Sequence, residues 1–233
     1  MGETGKRLRL AVAWDADGRH MDDVARRPKT LGRAPMIAPG ALHVTVRPRD
    51  VVDTSGGVER SFDVFCPRDR RSLDRETCSD CREYRGSGDG DASVACMAQS
   101  AVGGDGAGSL SSLAASIPVG MAMDGIRCLT IDTLLTTAMF DAHAGPLVVV
   151  GESGVPLGVV RSEVKDLLPA HAQAGDLMVP VRTVTETDTL SAVLSLMLQS
   201  RARYVVVVDH ERAATGLISD VIALRWLTHR LRA

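Results

Sequence analysis

The pattern of apolar and polar positions is clearest near the C-terminus. Leu190, Val193, Leu194 and Met197 fall at i, i+3, i+4 and i+7, the stripe of a helix with one buried face. Thr187 or Asp188 can cap that helix by accepting hydrogen bonds from its free N–H groups. Tyr204 to Val208 is a β-branched run suited to a strand buried on both faces. Asp209-His210-Glu211-Arg212 reads as a turn and Gly216-Leu217-Ile218-Ser219 as the next strand. Val221, Leu224, Leu227 and Leu231 stripe a last helix. With Thr183 to Thr185 as a short first strand, the order is strand–helix–strand–strand–helix.

The same order occurs once before. Gly120-Met121-Ala122-Met123 matches Gly175-Asp176-Leu177-Met178, and Arg127-Cys128-Leu129-Thr130 matches Arg182-Thr183-Val184-Thr185. Asp132-Thr133-Leu134 matches Asp188-Thr189-Leu190, Leu147 to Val150 matches Val205 to Val208, and Gly158-Val159-Val160 matches Gly216-Leu217-Ile218. The offset drifts only from 55 to 58. Leu135, Ala138, Met139 and Ala142 stripe the earlier helix, and Gly151-Glu152-Ser153-Gly154 supplies its hairpin turn. Units of this size cannot bury an apolar face alone, so the two copies are expected to share one core.

This duplication resembles a tandem CBS-domain pair (cystathionine-β-synthase type), or Bateman module, over about residues 117–228. The resemblance is carried by Gly175-Asp176-Leu177-Met178, Thr187-Asp188-Thr189-Leu190, Val206-Val207-Val208-Asp209 and Gly216-Leu217-Ile218-Ser219-Asp220. It implies an α/β (α+β) fold of two pseudo-symmetric repeats packed sheet to sheet, with a cleft for an adenosine nucleotide. It also implies homodimerisation through the pair, and regulation of a protein partner rather than catalysis. The family's ligand signature is a Thr or Ser after the third strand, for phosphate, and an Asp three residues on, for ribose. Here Ser219 is followed by Ile222, and the first copy has Arg161 and Val164. Both ribose carboxylates are therefore missing, a loss of roughly 1.5–3 kcal/mol, or one to two decades of affinity. Arg203, Arg161 and Ser219 remain candidates for an anion, and Thr183 and Tyr204 for the adenine side. The plainer alternative makes Arg201 and Arg203 solvated arginines, Arg161 half of a helix-end ion pair, and Thr183 and Tyr204 ordinary strand residues.

Four of the five cysteines, Cys66, Cys78, Cys81 and Cys96, fall in one stretch as C-x11-C-x2-C-x14-C. A two-residue spacer lets Cys78 and Cys81 chelate one metal, and Cys66 and Cys96 could complete a tetrahedral thiolate site. So few apolar residues accompany them that a structural zinc would supply folding energy the segment lacks. An iron–sulfur cluster, reduced thiols and disulfides are the alternatives. Cys128 stands alone in an apolar run and reads as a small buried hydrophobe. Val51 to Phe65 reads as a hairpin around Thr54-Ser55-Gly56-Gly57, feeding Cys66, while Gly86 to Asp91 is a bend and Ser93 to Cys96 a returning strand.

The expected organisation is therefore a poorly ordered N-terminal extension over residues 1–41 and a β-hairpin with the four-cysteine module over 42–98. A Gly/Ser-rich linker over 99–116 and CBS repeats over 117–170 and 171–233 complete it. Net charge is −2 and neither half is basic, which disfavours a polyanion binder. Arg68, Arg70, Arg71 and Arg75 keep a zinc-ribbon-like nucleic-acid reader as a second reading, although Asp69, Asp74 and Glu76 offset them. Aromatics are 3% of residues, too few for a base-stacking platform. No apolar run reaches the ~20 residues of a membrane helix, and no secretory signal is evident, so a cytoplasmic location is expected. The six histidines are scattered, and no catalytic constellation, P-loop or dinucleotide fingerprint occurs, so no enzyme is expected.

Overall fold

The structure is a computed structural model that describes residues 41–88, 92–97, 114–141 and 145–232. The expected N-terminal extension, most of the expected linker, and Ala142 of the first helical stripe lie outside the described residues.

The expected hairpin forms from β1 (Leu42–Val52) and β2 (Val58–Cys66), paired antiparallel from Val46–Val64 to Val52–Val58. Its turn closes on the Asp53 carboxylate, which accepts from the Ser55 and Gly57 N–H groups, both at 2.8 Å. Gly56 takes a left-handed conformation there, with φ of 80°, which a side chain would strain. β3 (Arg71–Asp74) adds to β2 and leads into the one-turn helix α1 (Arg75–Ser79), which Asp74 caps by accepting from Glu76 N–H. β4 (Tyr84–Gly88) and β5 (Ser93–Cys96) follow as a hairpin, so strand begins where the sequence suggested a bend.

β1 holds this module to the rest of the chain. Its first residues, Leu42 to Thr45, pair with β5, and its last, Arg49 to Val52, pair parallel with β6 (Ile126–Thr130). The cysteine module and the first copy thus share one sheet, ordered β3-β2-β1-β6-β7-β8, with β7 (Leu147–Val150) and β8 (Pro156–Val160). α2 (Thr137–Asp141) joins β6 to β7, and a 3-10 helix (Ser162–Leu167) follows β8. The second copy comprises α3 (Ala174–Leu177), β9 (Arg182–Thr185), α4 (Leu190–Ser200), β10 (Tyr204–Val208), β11 (Ala214–Ser219) and α5 (Asp220–Arg232). Its sheet runs β11-β10-β9. In both copies the middle strand is parallel to the first and antiparallel to the third.

The copies exchange their leading segments, and the exchange is reciprocal bond for bond. Val119 and Gly120 donate to the carbonyls of Asp188 and Glu186, at 2.7 and 3.0 Å; Ala174 and Gly175 donate to those of Thr133 and Ile131, at 2.9 and 2.8 Å. Asp124 and Leu217 bond in both directions, as do Val179 and Val159. Each bond maps onto its counterpart at an offset of 55 or 58, and Thr133 thereby answers Asp188, one residue away from the sequence match of Asp132 with Asp188. Small residues allow the close approach: a Cβ on Gly158 would stand 2.7 Å from the Val179 carbonyl oxygen, and one on Gly216 would strike Met123.

The sheets face one another across a common core. Cys128, Val148 and Val159 of one meet Val206, Val208 and Leu217 of the other. Outside that layer, Val119, Ala122 and Met123 pack under the second copy's helices, while Ala174, Leu177 and Met178 pack with Leu135 and Phe140 of the first.

Several local expectations shift. The cap of α4 is Thr189, whose hydroxyl accepts from Ala192 N–H at 3.3 Å, while Asp188 accepts from Thr185 N–H at 2.7 Å. Neither Thr187 nor Asp188 caps the helix. The stripe of α5 is displaced: Ala223 and Leu227 are buried, whereas Val221 and Leu224 are 58% and 63% exposed. In the first copy Phe140 is buried and Ala138 exposed, and the second helix of that copy is replaced by the 3-10 turn.

Candidate functional site

The cleft at the N-terminus of α5 is a cavity of about 620 Å³. Three of the five expected ligand residues line it: Arg203, Tyr204 and Ser219. Strand pairing brings Tyr204, the first residue of β10, opposite Ser219, the last of β11. Ser219 is buried, and its hydroxyl accepts from Ile222 N–H at 3.1 Å, capping α5 while its own proton remains a donor. Arg203 is exposed and stands 3.7 Å from the Glu163 carboxylate, a pair too open to water to fix it firmly. Ile222 lines the wall where the family pattern would place a carboxylate. Thr183 sits half-buried in β9 and Arg161 at the exposed start of the 3-10 helix, and neither lines this cavity.

Asp124, Gly125 and Gly145 complete the opposite wall, and Arg225 lies one turn along α5. Sequence reasoning missed Asp124 and Arg225. Asp124 had a signal: at the offset of 55 it aligns with Val179, so a charge replaces an apolar side chain in the exchanged segment.

All four clustered cysteines line a separate cavity, of about 400 Å³, inside the β-module. Cys66 ends β2, Cys78 lies in α1, Cys81 follows that helix, and Cys96 ends β5. Cys66, Cys78 and Cys96 are buried and Cys81 half-buried. Arg70 N–H donates to the Cys66 carbonyl at 2.8 Å and Asp69 N–H to its Sγ at 3.5 Å; Cys81 N–H donates to the Cys78 carbonyl at 3.1 Å. Burial pushes the Cys78 thiol up to about 11, and the neighbouring Cys96, Cys66 and Cys81 add to the shift. Among the described residues no group of three or more His, Cys, Asp or Glu is arranged to hold a metal ion. Cys128 has no exposed surface, as expected of a buried hydrophobe.

Three of the four arginines around this module have partners within the chain. Arg68 binds Asp69 at 2.9 Å, Arg70 reaches the Thr187 carbonyl at 3.5 Å, and Arg75 reaches the Ser87 hydroxyl at 3.3 Å. Among the described residues no helix is long and apolar enough to cross a membrane.

A CBS domain is found at residues 174–229. That match spans the second copy from α3 to the last turns of α5. Among solved structures, the CBS domain of the bacterial CNNM/CorC family Mg2+ transporter in complex with ATP is similar at 17% identity and a TM-score of 0.45, covering 51% of this chain and 92% of that one. CBSX2 in complex with AMP is similar at 20% identity and a TM-score of 0.42, covering 50% and 99%. A hemolysin-like protein containing a CBS domain, from Oenococcus oeni PSU, is similar at 14% identity and 0.43, covering 51% and 95%. No curated protein matches the chain in sequence.

Proposed function

We propose that the chain is a non-enzymatic regulatory protein whose two copies form a CBS pair and take an adenosine nucleotide in the cleft at the start of α5. One observation carries this: the CBS domain at 174–229 closes a cavity of about 620 Å³ in which a guanidinium, a phenol and a buried hydroxyl converge. That volume suits a small metabolite. Arg203 and Ser219 suit the phosphate, helped by the positive end of the dipole of α5, a helix of 13 residues. The reciprocal exchange of leading segments supports reading residues 117–170 as the first repeat. Val221 and Leu224, exposed along α5, suit a homodimer contact. Titration calorimetry of the folded chain against AMP, ADP, ATP and S-adenosylmethionine tests the reading. Saturable heat with at least one of them is expected, and no heat at millimolar concentration overturns it.

The cysteine cavity is proposed to hold a structural zinc. Four thiols line one cavity, and a buried cation would relieve the like-charge contact that four thiolates create there. Elemental analysis of the purified chain is expected to find one zinc per chain. A metal-free, folded chain refutes this part alone.

A further inference from the structure

The cleft does not end at Asp124. A second cavity, of about 690 Å³, adjoins it and shares Asp124, Ile222 and Arg225 as walls. Its far side is built by the cysteine module: His43 and Thr45 on β1 and Ser93 on β5. Its near side is apolar, with Met121 and Met123 from the exchanged segment and Trp226 from α5.

The chemistry changes in order along this groove. Arg203, Ser219 and Asp220 occur only in the first cavity, the Asp220 carboxylate accepting from Val221 N–H at 2.8 Å; Asp124 and Arg225 stand at the junction; Met123 and Trp226 occur only in the second. A guanidinium with a hydroxyl suits an anion. A carboxylate repels phosphate but accepts hydrogen bonds from neutral hydroxyls. An indole beside thioethers suits a flat aromatic ring. Anion, hydroxyls and ring, in that order, describe a nucleoside phosphate. Asp124 is also held in place, since its N–H donates to the Leu217 carbonyl at 2.9 Å and its carbonyl accepts from Leu217 N–H at 3.0 Å. Leu217 lies two residues before Ser219, so one strand sets the spacing between the carboxylate and the hydroxyl.

We infer that Asp124 receives the ribose hydroxyls of the bound nucleotide, and that the base passes into the second cavity, between Trp226 and the β1 residues His43 and Thr45. This rests on the nucleotide reading above. The cysteine module then forms part of the ligand's wall, and occupancy of the cleft bears on it directly.

The test uses the full chain carrying Trp14→Phe, which leaves Trp226 as its one tryptophan. AMP is expected to change the Trp226 fluorescence, and to bind roughly ten- to a hundred-fold more tightly than 2′-deoxyadenosine monophosphate. Asp124→Asn is expected to weaken AMP towards the level of the deoxy compound and to weaken the latter, which keeps one ribose hydroxyl, much less. Thr45→Arg, which fills the module side, is expected to weaken both and abolish the fluorescence change. Asp124 and Thr45 are both exposed, so the variants are expected to fold, and circular dichroism checks that. If AMP binds and either variant leaves its affinity unchanged, the inference falls while the nucleotide reading stands. If AMP does not bind the parent chain, the inference falls with the AMP reading on which it rests.

Discussion

Glu186 accepts both hydrogen bonds that Ser72 can donate, from its N–H at 2.7 Å and from its hydroxyl, across 114 residues of chain. Ser72 belongs to β3 of the cysteine module, and Glu186 follows β9 of the second copy. The same hydroxyl accepts from Arg47 Nη2 at 2.9 Å, and Arg47 Nη1 donates to the Gly120 carbonyl at 2.6 Å. Gly120 in turn donates its N–H to the Glu186 carbonyl at 3.0 Å. Arg47 and Glu186 are 3% exposed, so this closed ring is a dry joint between β1, β3 and both copies.

Opening that ring has a calculable effect. Burial lowers the Arg47 guanidinium to about 10, with Glu186 the foremost group opposing the shift, so the guanidinium remains charged at neutral pH. Arg47→Leu strands a buried carboxylate and is expected to cost about 3–5 kcal/mol. The double variant Arg47→Leu with Glu186→Leu is expected to recover only part of that loss, because it also leaves the two Ser72 donors without their acceptor. Urea denaturation of both single variants and of the double variant checks this, and additive losses would show that the charges act independently.

The glycines of the exchange are expected to differ in tolerance. A Cβ on Gly158 meets backbone, the Val179 carbonyl oxygen, whereas one on Gly216 first meets the flexible Met123 side chain. Gly158→Ala is expected to lower stability by about 1–3 kcal/mol and Gly216→Ala by less. Thermal unfolding of the pair decides the ranking.

Two aspartates set opposite pH trends. Asp50 accepts from Arg60 at 2.6 and 2.8 Å and from Arg127 at 3.1 Å. The Arg60 hydrogen bond above all, against burial and with Arg127 assisting, holds its carboxyl below the usual range. Its stabilisation is present above the unfolded value of about 4 and is lost as pH falls through the depressed folded value. Burial pushes the Asp63 carboxyl up, against the pull of Arg49 and Arg47. Its penalty is absent below about pH 4 and grows as pH rises through the raised value. Asp50→Asn is expected to cost about 2 kcal/mol at pH 7 and progressively less as pH falls below about 4. Asp63→Asn is expected to stabilise at pH 7. Denaturant midpoints measured from pH 2 to 8 test both signs.

If zinc occupies the cysteine cavity, Cys78→Ser and Cys96→Ser are expected to lose the metal and lower the melting temperature, whereas Cys128→Ala keeps the metal. Chelation should reproduce the first effect in the unaltered chain, because metal binding to such a site is folding free energy. Metal content and melting curves measured on the same samples separate lost coordination from lost packing.

Much of the duplicated half could be read in the sequence because its signals are local. The β-branched runs at Leu147–Val150 and Tyr204–Val208 both became buried strands. Other features rest on distant partners or weak side chains. The buried face of α5 is marked by Ala223, whose single methyl carries little pattern, so the larger Val221 and Leu224 drew the stripe to the wrong side. Arg203, Tyr204 and Ser219 converge because strand pairing aligns them, and the resemblance carried that pairing with it. Asp124, His43 and Thr45 were missed because their cavity is closed by β1 lying beside β6, a parallel contact between residues 49–52 and 126–129 with no local signature.

That contact also decides what can be removed. A fragment starting near residue 117 would keep both copies but lose β1, leaving β6 as a raw sheet margin with unpaired backbone donors and acceptors along Ile126 to Leu129. Such a margin recruits any strand it meets. The hairpin at the front of the chain thus serves as a built-in sheath, and shortened versions are expected to clump where the whole chain stays dispersed.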